Sequence, residues 1–136
     1  MIRGINHVGI VVRNIDEVVT FLTETFMAKA ISRTEFTELK QISALVQIGG
    51  SFFELMEPTA ADGVVGKFLE TKGGGLHHIS LLCDDVTDFC EKFEAKGFQV
   101  IAKMCEGPFK VAFLHPKNTK GILFELTEKP SYSISK

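Results

Sequence analysis

Two histidines and two glutamates recur in this sequence at one spacing. His7 and Glu54 are 47 residues apart, and so are His78 and Glu125. Each histidine lies in an apolar run, Ile5-Asn6-His7-Val8-Gly9-Ile10-Val11-Val12 or Leu76-His77-His78-Ile79-Ser80-Leu81-Leu82-Cys83. Each glutamate sits between apolar neighbours, in Phe53-Glu54-Leu55 or Phe124-Glu125-Leu126. An acid in such a setting is costly to bury unpaired. A lone histidine on a strand is more often a hydrogen-bonded core residue, and a lone glutamate near a strand end a solvated one. Four such residues sharing one offset of 71 residues point instead to a single site. Two imidazoles and two carboxylates form a neutral set with a divalent cation, and octahedral coordination leaves two positions for water or substrate oxygens. Open positions suit a catalytic ion rather than a purely structural one. The pattern therefore predicts His7, Glu54, His78 and Glu125 as ligands of one divalent cation. Strand alternation turns His77 away from His78, where it is expected to pack or cap. Asn6, the repeat counterpart of His77, suits a rim position.

The elements that carry these residues repeat with them. Asn14-Ile15-Asp16-Glu17 lies over Asp85-Val86-Thr87-Asp88, each a capping residue followed three positions later by an acid. Val18, Val19 and Leu22 lie over Phe89, Cys90 and Phe93 at helical spacing. In the first half, strands are predicted over Lys40 to Ile48 and Phe52 to Glu57, joined by the tight turn Gly49-Gly50-Ser51. In the second half they are predicted over Lys110 to His115 and Ile122 to Thr127, around a turn from Pro116 to Gly121. Glu35 to Leu39 and Gln99 to Met104 supply one more strand each. The fold class is thus α+β, a single domain of two βαβββ modules at 4–58 and 75–129. The linker, 59–74, holds a short helix over Val64 to Thr71 with Val65, Phe68 and Leu69 on one side, ended by Gly73-Gly74-Gly75. The tail, 130–136, has little to pack.

Composition removes several classes of function. The chain has 136 residues, 45% of them hydrophobic and 24% charged, an ordinary globular balance. Its net charge is -2 and no basic stretch gathers, so a nucleic-acid partner is not expected. No apolar run approaches the ~20 residues of a membrane span. An apolar alternating segment starts within a few residues of Met1, leaving no room for a signal peptide. Cys83, Cys90 and Cys105 form an odd count without a CxxC, which argues against a disulfide framework and for a reduced, cytoplasmic compartment.

Paired modules with this His…Glu…His…Glu order resemble the vicinal oxygen chelate superfamily, which includes glyoxalase I, extradiol dioxygenases and methylmalonyl-CoA epimerase. Three segments resemble the epimerase branch: Glu54-Leu55-Met56-Glu57-Pro58, Lys67-Phe68-Leu69 leading to Gly73-Gly74-Gly75-Leu76-His77-His78-Ile79, and Val111-Ala112-Phe113-Leu114-His115-Pro116-Lys117. The resemblance spans residues 4 to 128. It implies a cleft-shaped, curved mixed sheet with helices outside, and a homodimer. It implies a divalent metal ion (Co2+, Ni2+, Mn2+ or Zn2+) on His7, Glu54, His78 and Glu125. It implies an isomerase whose substrate is a small acyl thioester, the metal chelating two substrate oxygens while Glu125, with Glu54 opposite, moves the α-proton. His115 is expected to orient a carboxylate, to touch substrate, or to satisfy a hairpin backbone group. The base glutamate of the bacterial epimerase pattern falls at Ala44, or near Ser43, so one of two expected bases is missing. The stretch Glu106-Gly107-Pro108-Phe109 is shorter and more apolar than the epimerase loop at that place. Glyoxalase I has an arginine for glutathione on its first strand where Val11 stands here. The alternatives are a lactoylglutathione lyase, another metal-dependent lyase on a carrier-bound acyl group, and a non-catalytic binder of the bleomycin-resistance type. An Fe(II) dioxygenase would use two histidines and one carboxylate, which the fourth ligand opposes.

Overall fold

The computed structural model describes residues 1–104 and 110–128. Cys105, the 106–109 stretch and the tail from Lys129 lie outside the described residues. Chain order is β1 (Ile2–Val11), α1 (Ile15–Phe26), β2 (Lys29–Phe36), β3 (Gln41–Ile48), β4 (Ser51–Pro58), α2 (Val64–Lys72), β5 (Gly75–Cys83), α3 (Val86–Ala95), β6 (Val100–Met104), β7 (Val111–Leu114) and β8 (Phe124–Thr127). This is βαβββ twice, with α2 in the connecting segment.

One expected strand is displaced. The residues Glu35 to Leu39 end β2 and then form a 3-10 turn over Thr37–Leu39. Nearly every β2 side chain is exposed, so no apolar alternation marks its true extent. Its place is set by antiparallel pairing with β3, from Lys29 opposite Gln47 to Phe36 opposite Gln41, with a bulge between Ala30 and Ser32.

The described residues divide into two compact units, one holding Met1–His7 with residues 78–104 and 110–128 and the other holding Val8–His77. The chain passes from one to the other inside β1 and again inside β5. In the Val8–His77 unit the strand order is β2-β3-β4-β1, with β1 parallel and β3 antiparallel to β4. One sheet face packs Ala44, Val46 and Leu55 against Ile15 and Leu22 of α1. The opposite face packs Val11 and Met56 against Val65, Phe68 and Leu69 of α2, the helix side expected from sequence. Gly73 stops α2 with φ 78, a left-handed cap whose N–H donates to Leu69 O at 2.9 Å.

In the other unit the order is β1-β5-β8-β7-β6, with β5 parallel to β8 and β7 antiparallel to both its neighbours. Its core joins Val86 and Cys90 of α3 to Ala112, Leu114 and Leu126. Asp84 N–H donates to Met1 O at 3.1 Å and ties the chain start to the end of β5.

Both repeat helices begin in the same way. Asn14 Oδ1 accepts from Glu17 N–H at 3.0 Å, and Asp85 Oδ1 accepts from Asp88 N–H at 2.9 Å, as the capping signatures predict. A second acceptor arrives from distant sequence. Glu57 Oε1 accepts from Ile15 N–H at 2.7 Å, and Glu128 Oε2 accepts from Val86 N–H at 2.8 Å. First-turn N–H groups have no partner inside the helix, so each glutamate satisfies one of them with a negative charge at the favourable helix end.

Candidate metal centre and active site

Strand register places the glutamates equivalently in the two modules. Glu54 on β4 stands opposite Gly9 of β1 and Leu45 of β3. Glu125 on β8 stands opposite Ser80 of β5 and Phe113 of β7. Gly9 and Ser80 each follow a repeat histidine by two residues, so each lies on the same strand face as that histidine.

His7, His78 and Glu125 converge within one unit. His7 Nε2 and His78 Nε2 are 3.2 Å apart. Glu125 Oε1 is 3.6 Å from His7 Nε2, and Oε2 is 3.6 Å from His78 Nε2. The ligand atoms of these three all lie within 4.8 Å of one another. His78 is 5% exposed, and His7 and Glu125 are each 9% exposed. With ligand bonds of ~2.1 Å, separations of this size subtend about 100° to 120° at a common centre, within the span of ordinary tetrahedral and octahedral sites. The donor set therefore fits a divalent ion. It offers two neutral nitrogens and an anionic oxygen, the borderline ligand type that Zn2+, Co2+ and Ni2+ accept.

Neighbouring side chains hold these groups. Ser80, with no exposed surface, donates its hydroxyl to Glu125 Oε1 at 2.7 Å. The Asn6 side-chain amide lies 3.2 Å from His7 Nδ1, which leaves Nε2 on the side of His78. The Phe113 ring meets the His78 ring edge-on, with centroids 5.6 Å apart, and gives this part of the site an apolar wall. Sequence reasoning passed over Ser80 and Phe113. The available signal for Ser80 was a polar residue inside an apolar strand, two positions after His78.

Glu54 lies in the Val8–His77 unit and is half-buried. Its sheet face also carries Phe52, Met56 and, from β3, Leu45 and Ser43. Ser43 Oγ accepts from the buried Gln41 side-chain amide at 3.0 Å. Ala44 points the other way, into the cluster beneath α1. Of the two positions weighed for the bacterial base, Ser43 therefore shares the face of Glu54 and Ala44 does not. Val11 is buried against Met56 and Val65.

The remaining histidines have structural partners. His77 packs edge-on against Phe68 at 4.9 Å between centroids. His115 Nδ1 accepts from Lys117 N–H at 3.1 Å and so caps the 3-10 turn Pro116–Asn118, the backbone role among those expected for it.

Residues 4–126 match the family described as the Glyoxalase/Bleomycin resistance protein/Dioxygenase superfamily. The chain belongs to this superfamily. It is 35% identical over 129 residues to the uncharacterized protein YqjC of Bacillus subtilis, covering 91% of both chains. It is 30% identical over 132 residues to the mitochondrial methylmalonyl-CoA epimerase of Dictyostelium discoideum, covering 94% of this chain and 80% of the relative. Among solved structures, a Streptomyces coelicolor methylmalonyl-CoA epimerase variant in complex with 2-nitronate-propionyl-CoA superposes with a TM-score of 0.84 at 30% identity, covering 93% of this chain and 97% of that one. Family, fold and likeness to an isomerase are those expected from the paired motifs.

Proposed function

We propose that the protein is a divalent-metal-dependent epimerase that removes and returns the α-proton of a 2-methylmalonyl-CoA-like acyl thioester. The carrying observation is the buried His7–His78–Glu125 cluster in a chain whose relatives include methylmalonyl-CoA epimerases. Glu54 is proposed as the fourth ligand, because it holds the repeat position and strand register that Glu125 holds in module two. When bound, the cation supplies positive charge against the negative charge that grows on the thioester oxygen as the proton leaves.

The chain's own residues do the rest. His7 and His78 would hold the ion, their Nε2 atoms being 3.2 Å apart. Glu125 is the first candidate to accept the α-proton, and Glu54 the second. Phe113 keeps water from the His78 side, which strengthens every charge interaction there. The thioester's α-proton already lies between two carbonyl groups, so a carboxylate is a strong enough base once the developing charge is stabilised. The buried Val11 offers no cation for a glutathione carboxylate, which favours an epimerase over a glyoxalase-type lyase. We further propose a homodimer, on the family resemblance, and a reducing cytoplasmic compartment, which suits an odd count of three cysteines without a CxxC. No helix among the described residues is long and apolar enough to cross a membrane.

The test is deuterium wash-in at the α-carbon of 2-methylmalonyl-CoA, with chelator-treated protein and with protein reloaded with Co2+, Ni2+, Mn2+ or Zn2+. Exchange with inversion, in the reloaded protein alone, is the expected result. Exchange without inversion would indicate a one-base enzyme with another natural substrate. No exchange at millimolar substrate with metal bound rejects the epimerase and leaves a metal-dependent lyase or a binding protein. Light scattering at tens of micromolar tests the dimer, and a monomeric mass overturns it.

A further inference from the structure

We infer that Ser80 is a positioning residue for Glu125, gripping Oε1 so that the carboxylate is held beside the two histidine Nε2 atoms. This rests on the metal reading above. The hydroxyl is fully buried and its oxygen lies 2.7 Å from Oε1. Hydrogen bonds from a hydroxyl to a carboxylate are short and roughly twice as strong as neutral ones, so this contact strongly orients the group it grips. Glutamate is a flexible ligand with several freely rotating bonds, and fixing it in advance removes part of the ordering cost of metal binding. With Oε1 gripped by Ser80, the carboxylate is held with Oε1 3.6 Å from His7 Nε2 and Oε2 3.6 Å from His78 Nε2.

The repeat shows that this hydroxyl belongs to one module only. Ser80 stands opposite Glu125 in β5–β8 register, and its equivalent opposite Glu54 in β1–β4 register is Gly9. Gly9 has no side chain to place there. The serine hydroxyl that orients Glu125 therefore has no counterpart at Gly9 for Glu54.

The experiment is metal affinity by calorimetry, and the visible absorption of the Co2+-loaded protein, for wild type and Ser80→Ala. Thermal unfolding of both in chelator confirms that the variant is folded. Groups that orient a metal ligand typically contribute 10- to 100-fold in affinity. Ser80→Ala is expected to weaken binding by that factor and to change the Co2+ spectrum, because Glu125 becomes free to turn. A purely structural role would lower the unfolding temperature and leave affinity and spectrum unchanged. In a Glu125→Ala background, Ser80→Ala is expected to cost no further affinity, since the two act as one unit. Affinity within threefold of wild type with an unchanged spectrum overturns the inference, and so does full additivity with Glu125→Ala. A wild-type chain that binds none of the four ions overturns the metal reading itself, and this inference with it. Metal binding by wild type with no effect of Ser80→Ala overturns the positioning role alone.

Discussion

Removing the Glu57 carboxylate tests the long-range cap that the repeat uses twice. Glu57 Oε1 accepts the N–H of Ile15 at 2.7 Å, and Ile15 is only 2% exposed. In Glu57→Ala that N–H loses its acceptor in a place water scarcely reaches. A hydrogen bond to a charged group is worth ~1.5–3 kcal/mol, and part of that already reflects the favourable helix end. A loss of ~2 kcal/mol is therefore expected. For a chain of this length each kcal/mol moves Tm by ~3–4 °C, so the midpoint falls by about 6–8 °C. Glu57→Gln keeps an oxygen acceptor without the charge, and about half the loss is expected. Measurement is by calorimetry and urea titration in the presence of chelator, because a bound ion would add its own stabilisation. Glu128→Ala should repeat the result through Val86, whose N–H is held at 2.8 Å. A loss below ~0.5 kcal/mol for Glu57→Ala, the range of an ordinary surface change, refutes the reasoning.

Gly66→Ala should destabilise α2, because an added Cβ would lie 2.3 Å from Ala60 O and 2.9 Å from Ala61 C, both backbone atoms. Overpacking of this kind costs ~1–3 kcal/mol, read as a drop in urea midpoint. His78→Ala should lose most of the metal affinity measured by calorimetry, since it removes one of two imidazoles from the cluster; unchanged affinity would falsify the centre. The Lys40 ammonium, bonded to Asp62 at 2.5 Å, holds the Asp62 carboxyl below its ordinary value, first by the hydrogen bond and then by charge. A depressed carboxyl stabilises the fold above its unfolded pKa, and that contribution fades as pH falls through the folded value. Lys40→Met should raise the Asp62 titration midpoint followed by NMR; a midpoint that does not move refutes the pairing.

Local sequence determined much of this protein. The 71-residue repeat set two βαβββ modules, because apolar periodicity and a capping residue with an acid three positions on are read within a few residues of chain. The same patterns placed α2 and its packing side, and aligned His7 with His78 and Glu54 with Glu125. Exposed β2 escaped, since a strand without a buried face leaves no alternation to read. Only tertiary structure decided which side chains meet. The Ser80 hydroxyl reaches Glu125 across 45 residues, Phe113 reaches His78 across the sheet, and Glu57 reaches Ile15 across 42 residues. Tertiary structure also decided that Met1–His7 joins the later half of the chain, so that His7 meets His78 within one compact unit. Strand register is the physical reason. It is set by hydrogen bonding between segments far apart in sequence, and a shift of one residue would turn each of these side chains to the opposite face.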